Sequence, residues 1–168
     1  MLAPLKESVI SDKIGVVRDN RYLTWRYLEK PFFTYEIYTV AKQGILCGCL
    51  VIYVAEKLGL KTVYVMECSA TGDSREVYSG MLGKLDDIAR EKKADSVSIL
   101  LMPNHPQYRL FRKNGFIRVP KRLLPQKIYF VAKMLSDQID ATYVKAEENW
   151  YISWGGSRCR LRQTTRLS

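Results

Sequence analysis

Histidine is nearly absent from this 168-residue chain, with His105 the single copy. Cysteine is sparse too: Cys47, Cys49, Cys68 and Cys159 are all there are, and no two form a CxxC pair. Structural zinc is held by Cys/His sets at such spacings, so no metal site is expected. Four cysteines are too few for a disulfide framework in a domain this large, which points to reduced, structural thiols. Cys47 and Cys49 stand two apart on a predicted strand, and that spacing predicts that both face one side as small buried residues. Long apolar runs are also missing. None reaches the roughly 18 residues needed to span a bilayer. The opening MLAPLKESVISDK lacks the apolar core of a signal peptide, so a cytoplasmic protein with no membrane partner is the expectation.

Acidic residues are the minority charge, 17 against 27 Lys and Arg, for a formal +10. Arg158, Arg160, Arg162 and Arg166 concentrate four of those positive charges in an acid-free tail, leaving +6 for the rest. The excess suits anionic partners, nucleotide cofactors and nucleic acid among them. Aromatic and basic residues are not interleaved in one patch, however, which places nucleic acid last among the partners. A solubilising surface with a charged tail explains the same balance. The hydrophobic fraction of 47% beside 26% charged residues describes a folded globular chain of one-domain size.

No repeat or low-complexity linker divides the chain. Ile14 to Val17 reads as a short strand. NRYLTWRYLEKP reads as a short helix capped by Asn20, with Leu23, Tyr27 and Leu28 on one face and Pro31 ending it. Trp25 is expected in its core and Arg26 on its surface. Tyr35, Ile37, Thr39 and Ala41 alternate with Glu36, Tyr38, Val40 and Lys42, and Gln43-Gly44 supplies a turn. The β-branched run Ile45–Ala55 predicts a central return strand, and after a turn at Leu58–Lys61 a third strand covers Lys61–Ala70. A helix is predicted from about Ser74 to Lys93, capped by Asp73 with Glu76 completing a capping box. Its core-facing stripe is Val77, Met81, Leu82, Leu85, Ile88 and Ala89. Asp95–Pro103 reads as a buried strand. Pro106 opens a helix carrying Tyr108, Phe111 and Arg112, which Gly115 stops in the left-handed conformation. Phe116–Val119, Lys127–Leu135 and Asn149–Trp154 are predicted as further strands. The order implies an α/β (α+β) fold: a mixed, mostly antiparallel sheet with helices on both faces.

Three segments, in order over residues 20–135, resemble the GNAT superfamily of acyl-CoA N-acyltransferases. GILCGCLVI is similar to the family's G-x-x-x-G return strand. VYVMECSATGDSREVYSGMLGKLDDIA resembles its central strand running into the main helix. NHPQYRLFRKNGF resembles its late pattern of Asn, seven residues, Tyr, then Gly-Phe. YLTWRYLEKPF and NWYISWG are similar to the C-terminal halves of longer prokaryotic proteins with two such domains. Those usually end nearer W-G-D-S-D, where this chain has Trp154-Gly155-Gly156-Ser157-Arg158. The implied division is an N-terminal segment 1–19, a GNAT-like domain 20–135 and a C-terminal extension 136–168 with a basic tail.

The resemblance implies acetyl-CoA as cofactor, bound where the central strand feeds the main helix, its pyrophosphate on amides at the helix N-terminus. Cys68, Ala70, Thr71, Gly72, Ser74, Arg75 and Asn104 fall on the cofactor-binding positions. This loop keeps one glycine, Gly72, where the family has two, and Asp73 sets a carboxylate in the phosphate seat. Thr71, Ser74 and Arg75 can compensate; an ordinary capped turn is the other reading. Glu67, on the central strand, falls where a general base is expected. Strand alternation with Val65 and Met66 leaves its direction open. The acid position, four residues before Gly115, holds Phe111, which has no proton to give, so Tyr108, one turn earlier, is the remaining candidate acid or else a packing residue. Asn104 is placed to bind cofactor or to cap its helix, and His105 is expected to be exposed. Three functions follow. The first is acetyl transfer to an amine that the sequence does not identify. The second is a catalytically degenerate module binding a ligand or partner, such as a second GNAT-like domain or a second copy. The third is a relative of tRNA-dependent aminoacyl transferases.

Overall fold

A computed structural model of the chain describes residues 13–16, 20–71, 74–102, 104–120, 122, 132–135, 138 and 140–154. Four strands form one sheet in the order β1-β2-β3-β4, with β1 Glu36–Lys42, β2 Ile45–Lys57, β3 Leu60–Ala70 and β4 Ser96–Ile99. β1–β2 and β2–β3 are antiparallel hairpins, while β4 returns parallel to β3 after a helical crossover. Both hairpins close through two residues in the left-handed region, Gln43 (φ 52°) with Gly44 (φ 79°) and Leu58 (φ 55°) with Gly59 (φ 76°). That geometry matches the right-handed twist of the paired strands. Buried positions run without a break from Gly48 to Tyr53, as a strand covered on both faces requires.

The crossover is α2, Arg75–Glu91. Its stripe of Val77, Met81, Leu82, Leu85 and Ile88 packs on one face of the sheet against Leu50, Ile52, Val63 and Val65. Tyr78 joins that stripe and Ala89 is only half-buried. Ser74, not Asp73, is the N-cap, its hydroxyl accepting from the Val77 N–H at 3.4 Å. Glu76 therefore completes no capping box and instead meets Lys42 at 3.5 Å on the surface. α3, Tyr108–Lys113, buries Leu110 and Phe111 in the same layer and ends at Gly115 (φ 84°).

The opposite face is covered by α1, Asn20–Leu23, which continues as a wider π-helical turn, Thr24–Leu28. Leu23 and Tyr27 pack there against Cys49, Val51, Tyr53 and Met66. Two expectations for this segment reverse: Trp25 is 60% exposed and Arg26 only 6%. Leu28, also 60% exposed, leaves the shared face. Widening the turn by one residue shifts which side chains meet the sheet, and an α-helical count cannot anticipate it.

Two bulges set the side-chain alternation. Val40 pairs Gly48 while Ala41 pairs Leu46, so Cys47 is an extra residue on β2. Cys47 consequently packs on the α2 face while Cys49 is buried on the α1 face, and the expectation that they share a side fails. Val51 pairs Glu67 while Ile52 pairs Val65, leaving Met66 as the extra residue on β3.

The later predicted strands do not form where the structure describes them. Phe116–Val119 and 132–135 are irregular, and 127–131 lie outside the described residues. A β pattern becomes a strand only with a partner edge to satisfy its backbone groups. In the C-terminal segment, α4 (Ala141–Lys145) and a 3-10 turn (Glu147–Asn149) lead to one isolated parallel bridge between Ile14 and Trp150, with no strand over Asn149–Trp154. The strand expected at Ile14–Val17 is reduced to the same bridge, and Val17 lies outside the described residues.

Candidate active site

β4 ends opposite Val65, five residues before β3 does. Among the described residues, Met66–Ala70 therefore has a strand partner only on the β2 side. No described strand pairs its other edge, and β3 runs on toward the N-terminus of α2. The helical hydrogen-bond ladder of α2 begins with Tyr78 N–H to Ser74 C=O at 3.0 Å. Ser74 Oγ takes the Val77 N–H, which leaves the amides of Arg75 and Glu76 with no acceptor in the helix. At the end of β3 the Thr71 hydroxyl is buried with no hydrogen-bond partner among the described residues, while its N–H extends the sheet to Cys47 C=O at 2.8 Å. Orphan donors at a helix start, joined to an open strand edge, suit an elongated ligand with an anionic end. The residues present thus fit acetyl-CoA, although Gly72 and Asp73 lie outside the described residues. Cys68 and Ala70 are buried in the α2 layer and Arg75 is exposed on the first turn of α2.

The bulge at Met66 decides the direction of Glu67. Unbroken alternation places Glu67 with Val63 and Val65 under α2; the extra residue carries it to the α1 face opposite Val51. There it is 2% exposed. Its Oε1 accepts two hydroxyls, from Tyr27 at 3.2 Å and from Ser153 at 3.0 Å. Burial first, then the Glu67 carboxylate, holds the Tyr27 phenol far above the ordinary tyrosine range, so it remains a donor. Burial, with Glu67 second, pushes the Cys49 thiol up to about 12. The Arg26 guanidinium closes this side. It donates to Tyr35 Oη at 2.9 Å and lies 5.3 Å and 5.6 Å from the Tyr27 and Tyr35 ring centres. Cation–π contact of this kind compensates part of the cost of burying the charge.

The remaining sequence candidates are not gathered around this carboxylate. Tyr108 begins α3, half-buried, and Tyr27 and Ser153 rather than Tyr108 supply the hydroxyls on Glu67. Phe111 is 1% exposed, its ring edge-on to Tyr78, His105 and Phe116. The side-chain amide of Asn104 donates to the Glu148 carbonyl, binding the C-terminal segment rather than capping α3. His105 is buried, contrary to the exposed position expected. Its Nδ1 accepts the Gln107 N–H at 3.1 Å and its ring meets Tyr78, Phe111 and Tyr151. An imidazole fits this aromatic cage where a flanking loop residue was anticipated. Sequence reading missed Tyr27, Arg26 and Ser153. Helical spacing from Leu23 signalled that Tyr27 is buried, but not that its hydroxyl reaches Glu67. No local pattern marks Ser153, 86 residues from its partner.

No protein-family model matches this sequence, and no curated protein matches it. Solved structures do. A transcriptional regulator from Bacillus halodurans C-125 superposes at 14% identity over 61% of this chain and 70% of its own, with a TM-score of 0.51. An aminoglycoside acetyltransferase, meta-AAC0020, from an uncultured soil metagenomic sample and in complex with trehalose, matches at 14% identity over 73% and 78%, with a TM-score of 0.50. At such identities the likeness concerns the fold alone, a sheet flanked by helices that this chain shares with both structures.

Proposed function

We infer that this GNAT-fold chain binds acetyl-CoA along the open edge of β3 and transfers the acetyl group to an amine. One observation carries the reading: among the described residues Met66–Ala70 lacks a strand partner on the β4 side, and it leads into an α2 start whose first amides have no helical acceptor. The amides of Arg75 and Glu76 would hold the pyrophosphate, with Thr71 and Ser74 beside them. When bound, the cofactor supplies an activated thioester. Glu67 is the group that accepts the proton of the attacking amine, directly or through one water. Tyr27 holds that carboxylate in place. The leaving thiolate needs a donor, and Tyr108 is the candidate for it, since Phe111 has no hydroxyl.

A second reading has its own observation. Glu67 is 2% exposed and Phe111 fully enclosed, which favours a GNAT-fold module that binds a ligand or a partner domain without turnover. Calorimetric titration with acetyl-CoA separates the two. Micromolar binding that a bulky Gly72 substitution abolishes supports the enzyme, and no binding at millimolar cofactor refutes it. If acetyl transfer to an amine is found, Glu67→Gln lowers turnover by about 10²–10⁴-fold, the usual effect of removing a general base.

A further inference from the structure

The C-terminal segment Asp140–Trp154 lies on the molecule without joining its sheet. α4 has no buried residue, and the only residue of the whole segment that is fully buried is a serine, Ser153. Of its aromatic side chains, Trp150, Tyr151 and Trp154 are half-buried, Trp154 against the α1-face cluster. Its fastenings include the Asn104 amide on Glu148 C=O, Ile14 N–H to Asn149 C=O at 2.6 Å and Tyr151 N–H to Ile14 C=O at 2.9 Å. Tyr151 also meets the His105 ring at 5.6 Å and Trp154 the Tyr64 ring at 6.4 Å. A segment attached by scattered hydrogen bonds and half-buried rings opens at far lower cost than a core strand.

The innermost fastening is Ser153 Oγ to Glu67 Oε1, at 3.0 Å. A base takes a proton from a donor within about 2.6–3.2 Å of its oxygen, or through one water. Ser153 stands at that distance, so its hydroxyl occupies one of the acceptor positions of the carboxylate that an acceptor amine would use. Tyr27 donates to the same oxygen from the π-helical turn Thr24–Leu28. We propose that the C-terminal segment is an autoinhibitory strap: Ser153 stands in for the acceptor amine on Glu67, and an acceptor gains the carboxylate by displacing it. The regulatory meaning rests on the acetyltransferase reading, whereas the latch itself is tested without turnover.

The test is carboxyl labelling of the full chain with a carbodiimide and glycine ethyl ester, a small amine, read by peptide mass spectrometry at Glu67. Wild type, Ser153→Ala and Tyr27→Phe are compared, with amide hydrogen exchange measured in parallel. Losing one hydrogen bond to a charged group raises the open population by about tenfold or more. Ser153→Ala is expected to raise Glu67 labelling by that factor and to speed exchange across 149–154, while β2 and β3 exchange as in wild type. Tyr27→Phe also removes a hydrogen bond to Glu67 but leaves the segment's own hydroxyl in place, so exchange across 149–154 is expected to stay as in wild type. Equal labelling in wild type and Ser153→Ala overturns the proposal, and so does an equal speeding of 149–154 exchange in both variants, which would mean general loosening. Absent acetyl-CoA binding beside a positive labelling result sinks the enzyme reading and leaves the strap, so the two failures are distinguishable.

Discussion

Alanine at Gly48 places a methyl group 2.6 Å from Val77 Cγ1, 3.3 Å from Met81 Sδ and 3.4 Å from the Ser69 carbonyl oxygen. The methionine sulfur can swing away. Val77 has far less freedom, because a β-branched side chain in a helix keeps essentially one rotamer. Either that rotamer is lost or the first turn of α2 lifts from the sheet. Overpacking of this kind costs about 1–3 kcal/mol. Alanine recovers about 0.4–1 kcal/mol by restricting the unfolded chain, which leaves a net loss of roughly 1–2 kcal/mol. Urea unfolding followed by tryptophan fluorescence reads this as a midpoint lowered by about 0.5–1 M with an unchanged slope. Repeating the substitution in a Val77→Ala background removes the clashing atom, and the penalty there is expected to shrink by about 1 kcal/mol. A Gly48→Ala midpoint at or above wild type refutes the close approach of α2 to β2, and so does an equal penalty in both backgrounds. Gly44 is needed for its left-handed turn, with open space around it, whereas Gly48 is needed because a helix lies on it.

Two further outcomes follow from the same packing. Phe111→Tyr buries a hydroxyl among Tyr78, His105 and Phe116, so about 1–3 kcal/mol of stability is lost; unchanged urea stability would show that the ring edge is not enclosed. On the surface, the Lys92 ammonium at 2.7 Å and then the Tyr38 hydroxyl hold the Glu36 carboxyl below the usual carboxylate range. A lowered folded-state value means that this pair's stabilisation is present above the ordinary glutamate pKa and fades as pH falls through the lowered one. Lys92→Met should therefore flatten the acid limb of a plot of urea midpoint against pH, and an unaltered limb would assign acid sensitivity to other groups.

Much of the architecture is legible in residue order because its causes are local. Paired Gln43-Gly44 and Leu58-Gly59 turns dictate two hairpins, and the spacing of Val77, Met81, Leu82, Leu85 and Ile88 dictates a helix with one buried face. Gly115 stops α3 for the same kind of reason, a backbone angle that few other residues adopt. The site is different, because it depends on pairing and on chain segments far apart. One extra residue, Met66, moves Glu67 from the α2 layer to the α1 face, and another, Cys47, separates two cysteines that alternation places together. A π-helical turn exchanges Trp25 and Arg26 between surface and interior. Ser153 meets Glu67 across 86 residues, and β4 stops short of β3, for reasons no window of sequence contains. Turns and stripes are set by the conformational limits of neighbouring residues and were decided by the sequence itself. Register, bulges and the closure over Glu67 are set by which surfaces finally meet, and only the folded chain decided them.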